Sequence, residues 1–169
     1  MNLPLLAVSP AQALGMALKE RHWLFASAES CTGGLVAAAM TAEPGSSAWF
    51  ERGFVTYSNQ AKVQELGVHA ETLERFGAVS EATAIEMAAG LLTACASADL
   101  AVSTTGIAGP DGATPGKPVG LVCFGFAQRT PDGIVTRAIS RIFAGDRSSV
   151  RAQAVDFALE QALLFLNPI

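Results

Sequence analysis

The sequence predicts an α/β fold, a three-layer α/β/α sandwich around a mixed, mostly parallel five-stranded sheet. Three observations predict it. Apolar runs of strand length alternate with helical patterns through the first 105 residues, which implies parallel strands joined by right-handed crossovers. Two further apolar runs flank Thr130-Pro131-Asp132-Gly133 and add a hairpin that inserts one antiparallel strand. The chain has 169 residues, is 50% hydrophobic and holds 31 alanines, enough for a single domain (1–169) with closely packed helices.

The elements follow in order. Ser9-Pro10 is a cap followed by a first-turn proline, so a helix is expected to about Arg21. Trp23 to Ala28 is a short apolar run and the first strand. Thr32 to Thr41, rich in small residues, reads as a helix stopped by Pro44-Gly45. Arg52 to Tyr57 is the second strand. Asn59 caps a short helix closed by Gly67, with His69 in the turn beyond. Ser80 opens a longer helix to about Ala96. Leu100 to Thr105 is β-branched and apolar, the third strand. Gly106 to Gly120 is a loop of five glycines and three prolines, a length that in a compact domain usually signals function. Val119–Gln128 and Ile134–Phe143 form the hairpin. The last helix, from Asp146 to about Asn167, sets Val150, Ala154, Phe157, Ala158, Gln161, Leu164 and Phe165 on one face.

Composition narrows the function. Eleven basic against fifteen acidic residues give a net charge of −4, which argues against nucleic-acid or polybasic membrane binding. Cys31, Cys95 and Cys123 form no CxxC pair, so neither a disulfide scaffold nor a zinc site is expected, and buried thiols of a reducing cytosol are the default. Two histidines exclude a multi-histidine metal centre. Met1 to Leu18 is uncharged, but it lacks a basic n-region and is broken by Pro4 and Pro10. Neither a signal peptide nor a membrane span fits. A cytoplasmic domain with a small-molecule partner is expected, with no nucleic acid and no membrane.

In open α/β sheets ligands gather at the carboxyl ends of the parallel strands. Those ends are 28–32, 57–62 and 104–109. The first reads Glu29-Ser30-Cys31-Thr32-Gly33-Gly34. Ser30 falls between strand and helix, and the amides of Cys31 to Gly34 favour an oxyanion or a phosphate. Two readings stand for this segment: a nucleophile with its oxyanion donors, or a helix cap at Ser30 or Thr32 with glycines packed on the sheet. A serine nucleophile needs a base. His22 lies at the wrong end of the sheet and His69 in a turn, so a Ser-His-Asp triad is poorly supported. Of three lysines, Lys62 follows the second strand and can meet Ser30 if the first two strands pair, 4.8 Å apart as strands typically are (about that spacing throughout sheets). Partial burial and a positive helix end would lower its pKa toward about 7–8. The bland alternative is a surface lysine.

Rivals remain at the same ends. Tyr57 either hydrogen-bonds in the site or packs. Ser58 and Cys31 are competing nucleophiles, the latter acidified if it sits at a helix start and inert if it is core. The Gly106–Gly120 loop fails as a P-loop, with Asp111 at the first glycine position and Pro118 at the Ser/Thr position. It either covers a small ligand or is a proline-stiffened connection. Arg147 either holds a phosphate bidentately or forms a salt bridge to Asp146 or a neighbour.

The segments AESCTGG (28–34), GSSAWFERGFVTYSNQAK (45–62), GAVS (77–80), GIAGPDG (106–112), KPVG (117–120) and FAGDR (143–147) resemble the CinA C-terminal-domain family, and within it the stand-alone nicotinamide-nucleotide amidases. The likeness runs in order through nearly the whole chain. It implies a CinA-like fold and hydrolysis of nicotinamide mononucleotide to nicotinate mononucleotide and ammonia, with no metal or cofactor. It implies a Ser/Lys pair at Ser30 and Lys62, with Tyr57, Thr105 and Arg147 at recurring positions around the pocket. Catalytic roles are thus expected for Ser30, Lys62 and Tyr57. Substrate contacts are expected from Thr32, Gly33, Gly34, Thr105, Gly106, Gly109 and Arg147. A homo-oligomer, a dimer in preference, is the expected assembly. Larger members carry an N-terminal molybdopterin-binding-like domain with pyrophosphatase activity, which is not expected of these residues. Two other classes compete: a non-catalytic nucleotide-binding module, and a Cys31-dependent hydrolase.

Overall fold

The computed structural model describes residues 8–166. Its elements are α1 (Pro10–Arg21), β1 (Phe25–Glu29), α2 (Leu35–Met40), a short 3-10 turn (Ser46–Ala48), β2 (Phe50–Val55), α3 (Asn59–Leu66), α4 (Ala70–Phe76), α5 (Glu81–Ala94), β3 (Leu100–Gly106), β4 (Leu121–Thr130), β5 (Gly133–Ile142) and α6 (Arg147–Leu166). The sheet order is β2-β1-β3-β4-β5. β1 pairs in parallel with β2 and β3, and β4 pairs antiparallel with both β3 and β5. Four strands therefore point one way and β4 alone points back, as the hairpin implied.

From β1 the chain leaves by α2 toward β2 and returns by α3, α4 and α5 to β3 on the opposite side of β1. Crossovers of one hand that run in opposite directions put their helices on opposite faces. The core is accordingly double. One cluster joins α1, α2 and α6 to Phe25, Leu100, Val102, Phe124 and Phe126. The other joins α3, α4 and α5 to Ala26, Ala28, Ala101 and Ala127.

The period-2 alternation of strands sorts large side chains onto the α6 face and small ones onto the α5 face. Phe124 packs against Phe143 and Phe157, with centroids 6.1 and 5.0 Å away. Each such buried ring contributes about 1.5–3 kcal/mol over exposure. On the other face α5 comes close enough that a Cβ on Gly125 would lie 2.1 Å from the Ala84 carbonyl oxygen. Ser103 Oγ donates to that same oxygen at 2.6 Å. The abundant alanine is the sequence's side of this close approach.

Several boundaries differ from expectation. α1 carries the expected cap at Ser9, completed by Gln12 as a reciprocal capping box. α2 begins only at Leu35, because Cys31 to Gly34 form a turn. β2 runs from Phe50 to Val55, so Tyr57 lies beyond the strand. Ser58, not Asn59, caps α3, because its hydroxyl is the one that reaches the Ala61 amide. α4 was not expected; it is bracketed by Gly67 and Gly77 and buries only Leu73, so its apolar pattern is faint. On α6 Leu164 is 53% exposed and Gln161 and Phe165 are half-buried, while Val155, Leu159, Ala162 and Leu166 complete the buried stripe. Among the described residues no helix is long and apolar enough to cross a membrane. The reading of Met1–Leu18 is covered only from Val8 onward, since residues 1–7, like Asn167 at the expected end of α6, lie outside the described residues.

Candidate active site

The carboxyl ends of β1, β2 and β3 lie side by side on one edge of the sheet, and Ser30 and Lys62 meet there. Lys62 enters from the first turns of α3, which the Ser58 cap starts immediately after β2. Its Nζ donates to Ser30 Oγ at 3.0 Å, to the Thr56 carbonyl at 2.7 Å and to the Tyr57 carbonyl at 3.2 Å. Lys62 is 1% exposed and Ser30 9%. Burial pushes the ammonium down from 10.5 to about 8, with the neighbouring Cys31 opposing slightly. Among the described residues no carboxylate bonds to Lys62; three neutral oxygens hold it.

The turn after β1 is built by Glu29, which sequence reasoning left without a role. Its carboxylate is 1% exposed and collects five donors. Oε1 accepts from Thr32 Oγ1 at 2.6 Å, Gly34 N at 3.2 Å and Val36 N at 2.8 Å. Oε2 accepts from Ala37 N at 3.1 Å and Ser27 Oγ at 3.3 Å. The first amides of α2 are therefore satisfied from inside the protein. Neither Ser30 nor Thr32 caps the helix, since Thr32 Oγ1 donates to Glu29 and shares a 2.7 Å hydrogen bond with Thr104.

This changes which amides can meet an oxyanion. Gly33 N donates to the Ser30 carbonyl at 3.1 Å, and Gly34 N belongs to Glu29. The amides of Cys31 and Thr32 are taken up neither by Glu29 nor by a main-chain carbonyl. Their carbonyls face α6, where Arg151 Nε donates to Cys31 O at 3.1 Å and Nη2 to Thr32 O at 3.2 Å. Arg151 is a second residue that the sequence reading missed; its spacing of four from Arg147 was the available signal.

The other expected residues are placed as follows. Tyr57 brings its carbonyl to Lys62, while its ring is 62% exposed and its hydroxyl accepts from Arg147 Nη2 at 3.2 Å. Arg147 Nη1 donates to the Gly109 carbonyl at 2.9 Å. Asp146 accepts from Ser149 N instead of pairing with Arg147, so the salt-bridge alternative is not what forms. Thr105 is buried and donates to the Ala78 carbonyl at 2.7 Å, tying β3 to the segment before α5. Gly106 ends β3 where a Cβ would lie 2.7 Å from the Leu121 carbonyl oxygen. The glycine loop is held at its far end by Lys117, which donates to the Phe76 carbonyl.

The rival nucleophiles are otherwise engaged. Ser58 is the α3 cap. Cys31 is 6% exposed and burial pushes its thiol up to about 12, away from the thiolate. His22 ends α1, before β1, as expected. A groove of about 380 Å³ lies elsewhere, beside α3 and α5. Glu86 there is committed to His69 and Thr72, so no reactive groups converge in it. Among the described residues no His/Cys/Asp/Glu cluster suits a metal ion.

The chain resembles known proteins over most of its length. The chain is 58% identical over 150 residues to nicotinamide-nucleotide amidohydrolase PncC of Enterobacter agglomerans, covering 89% of each. It is 55% identical to the protein of the same name from Escherichia coli K12, covering 89% of this chain and 88% of that one. The crystal structure of competence damage-inducible protein A from Klebsiella pneumoniae superposes with a TM-score of 0.88 at 40% identity, over 94% of this chain and 96% of that one. Residues 8–166 match the model of the CinA C-terminal domain, and the chain belongs to that family.

Proposed function

We infer that this chain is a nicotinamide-nucleotide amidohydrolase: it hydrolyses the carboxamide of nicotinamide mononucleotide to the carboxylate and ammonia, through an acyl-enzyme on Ser30. The observation that carries the mechanism is the buried Lys62 amine 3.0 Å from Ser30 Oγ. When Lys62 is neutral, two N–H groups remain on the Thr56 and Tyr57 carbonyls, and the lone pair faces Ser30. The hydroxyl then donates to the amine, which is the arrangement a general base needs.

As Ser30 Oγ attacks the carboxamide carbon, its proton passes to Lys62 Nζ. The tetrahedral oxyanion is met by the Cys31 and Thr32 amides, donors of a kind worth about 2.7–4 kcal/mol each. Collapse breaks the C–N bond, and the Lys62 ammonium returns the proton to the departing nitrogen, which leaves as ammonia. Water then attacks the acyl-serine with Lys62 again as base, releasing the carboxylate and restoring Ser30. In this reading Arg147, exposed at the head of α6 and braced by Gly109 and Tyr57, holds the phosphate.

The decisive assay is ammonia release from nicotinamide mononucleotide by the purified chain. Ser30→Ala should lose turnover by at least about 10³-fold, as loss of a nucleophile typically does. Cys31→Ala should keep most of it. The reverse pattern would assign the chemistry to the thiol, and full activity in both would leave neither as nucleophile.

A further inference from the structure

Resting on the Ser30 reading, we propose that Arg151 is a positioning residue that aims and strengthens the Thr32 amide as an oxyanion donor. A trans peptide unit is planar, with its C=O and N–H on opposite sides, so whatever grips the oxygen aims the hydrogen. The Gly33 amide closes a four-residue turn onto Ser30 O at 3.1 Å. That bond fixes the Ser30 carbonyl and with it the Cys31 N–H. The central unit, Cys31 C=O with Thr32 N–H, is the one a turn's own hydrogen bond leaves unheld, and turn types differ chiefly by its rotation.

Arg151 supplies the missing hold. Its Nε bonds the Cys31 carbonyl and its Nη2 the Thr32 carbonyl, a two-point contact from a rigid helix. Complete rotation of the central unit would need positive φ at Thr32, and Thr32 does not have it. What Arg151 sets is the remaining tilt. Its charge also draws electron density from the Cys31 carbonyl, which makes the attached Thr32 N–H a stronger donor. Gly33 fits the same device: its φ is +56°, and a Cβ there would lie 3.2 Å from Arg151 Nη2. The two arginines at the head of α6 thus face different work, Arg147 toward Gly109 and Tyr57, Arg151 toward the nucleophile turn.

The test uses the full chain carrying Arg151→Met or Arg151→Lys. Arg151→Met should lower kcat for nicotinamide mononucleotide about 10- to 100-fold while KM stays within about threefold. A mononucleotide in which boronic acid replaces the carboxamide forms a tetrahedral adduct on Ser30 and should lose affinity by a similar factor. Affinity for the product, nicotinate mononucleotide, should stay within about twofold. A merely structural arginine would weaken both ligands together. Arg151→Lys keeps the charge with one contact and should recover part of kcat, and it carries the comparison if the methionine variant does not fold. Wild-type kcat in the variant that folds, or equal loss of both ligands, overturns the proposal. Turnover in a parallel Ser30→Ala sample would instead overturn the acyl-serine reading beneath it.

Discussion

At the starts of α1, α3 and α5 a serine hydroxyl accepts from the amide three residues on: Ser9 from Gln12 at 3.2 Å, Ser58 from Ala61 at 3.0 Å, Ser80 from Thr83 at 3.1 Å. Ser30 stands at the head of the turn into α2 and does nothing of the kind. Its hydroxyl faces Lys62, and the α2 amides go to Glu29. The contrast shows how a cap can be freed for chemistry. A carboxylate one residue earlier, with two oxygens, can serve several amides at once. The serine is then spared the hydrogen bond that would have tied its oxygen to the backbone.

The contrast breaks most severely at Lys62, whose amine bonds the Ser30 hydroxyl and that of no capping serine. Lys62→Arg keeps the charge but cannot deprotonate, so kcat should fall by about 10³-fold. With the amine at about 8, roughly a tenth is neutral at pH 7, and kcat/KM should rise about tenfold from pH 7 to 9. The same shift has a cost in stability. Between about 8 and 10.5 the unfolded chain holds a proton that the folded chain has released, so stability rises with pH across that window. Below it the buried ammonium weighs against folding by about 3 kcal/mol. Lys62→Met has no such group. Denaturant melts from pH 8 to 10.5 should show the wild type gaining on it by about that amount; a flat difference would deny the buried amine.

Glu29→Gln sharpens the comparison from the other side. Glutamine offers one acceptor oxygen where five donors converge, and its NH₂ would face donors. Denaturant midpoints should report a loss of about 1–3 kcal/mol. Turnover should fall too, since the turn beneath Ser30 loses its anchor. Unchanged stability would mean that solvent can replace the carboxylate.

Much of this was legible in the chain. Strand and helix periods gave the sheet and its single reversed strand, because alternation and hairpin turns are local patterns. The strand-end rule brought Ser30 and Lys62 together, since parallel pairing of β1 and β2 leaves little freedom in where α3 begins. Of the four amides from Cys31 to Gly34 singled out for an oxyanion, Gly33 N closes the turn onto Ser30 O and Gly34 N bonds Glu29, engagements that depend on the folded turn and carry no sequence pattern. Glu29 and Arg151 escaped notice for a shared reason. Both act on main-chain groups, and such partners carry no residue-type signature. Thr105 and Gly106 also carry structural work that their residue types did not announce, the one tying β3 to Ala78 and the other yielding room to Leu121.

The smallest expected effect is at Ser80, and it isolates what capping alone is worth. Ser80 sits at the start of α5, where its hydroxyl accepts from Thr83 N and donates to the Gly77 carbonyl at 2.9 Å. Ser80→Ala should cost about 1 kcal/mol, the usual value of a lost N-cap, and leave kcat within about twofold. Ser30→Ala should reverse the ratio. It removes no cap, so its melting midpoint should move less than that of Ser80→Ala, while its turnover vanishes. The paired measurement is a thermal melt and an ammonia assay on both variants. If Ser30→Ala proves the more destabilised of the two, the hydroxyl is holding the turn, and its release from structural duty is refuted. If Ser80→Ala loses turnover at unchanged stability, the segment before α5 reaches the reacting centre, and Thr105, bonded to Ala78 in that segment, is the route by which it would do so.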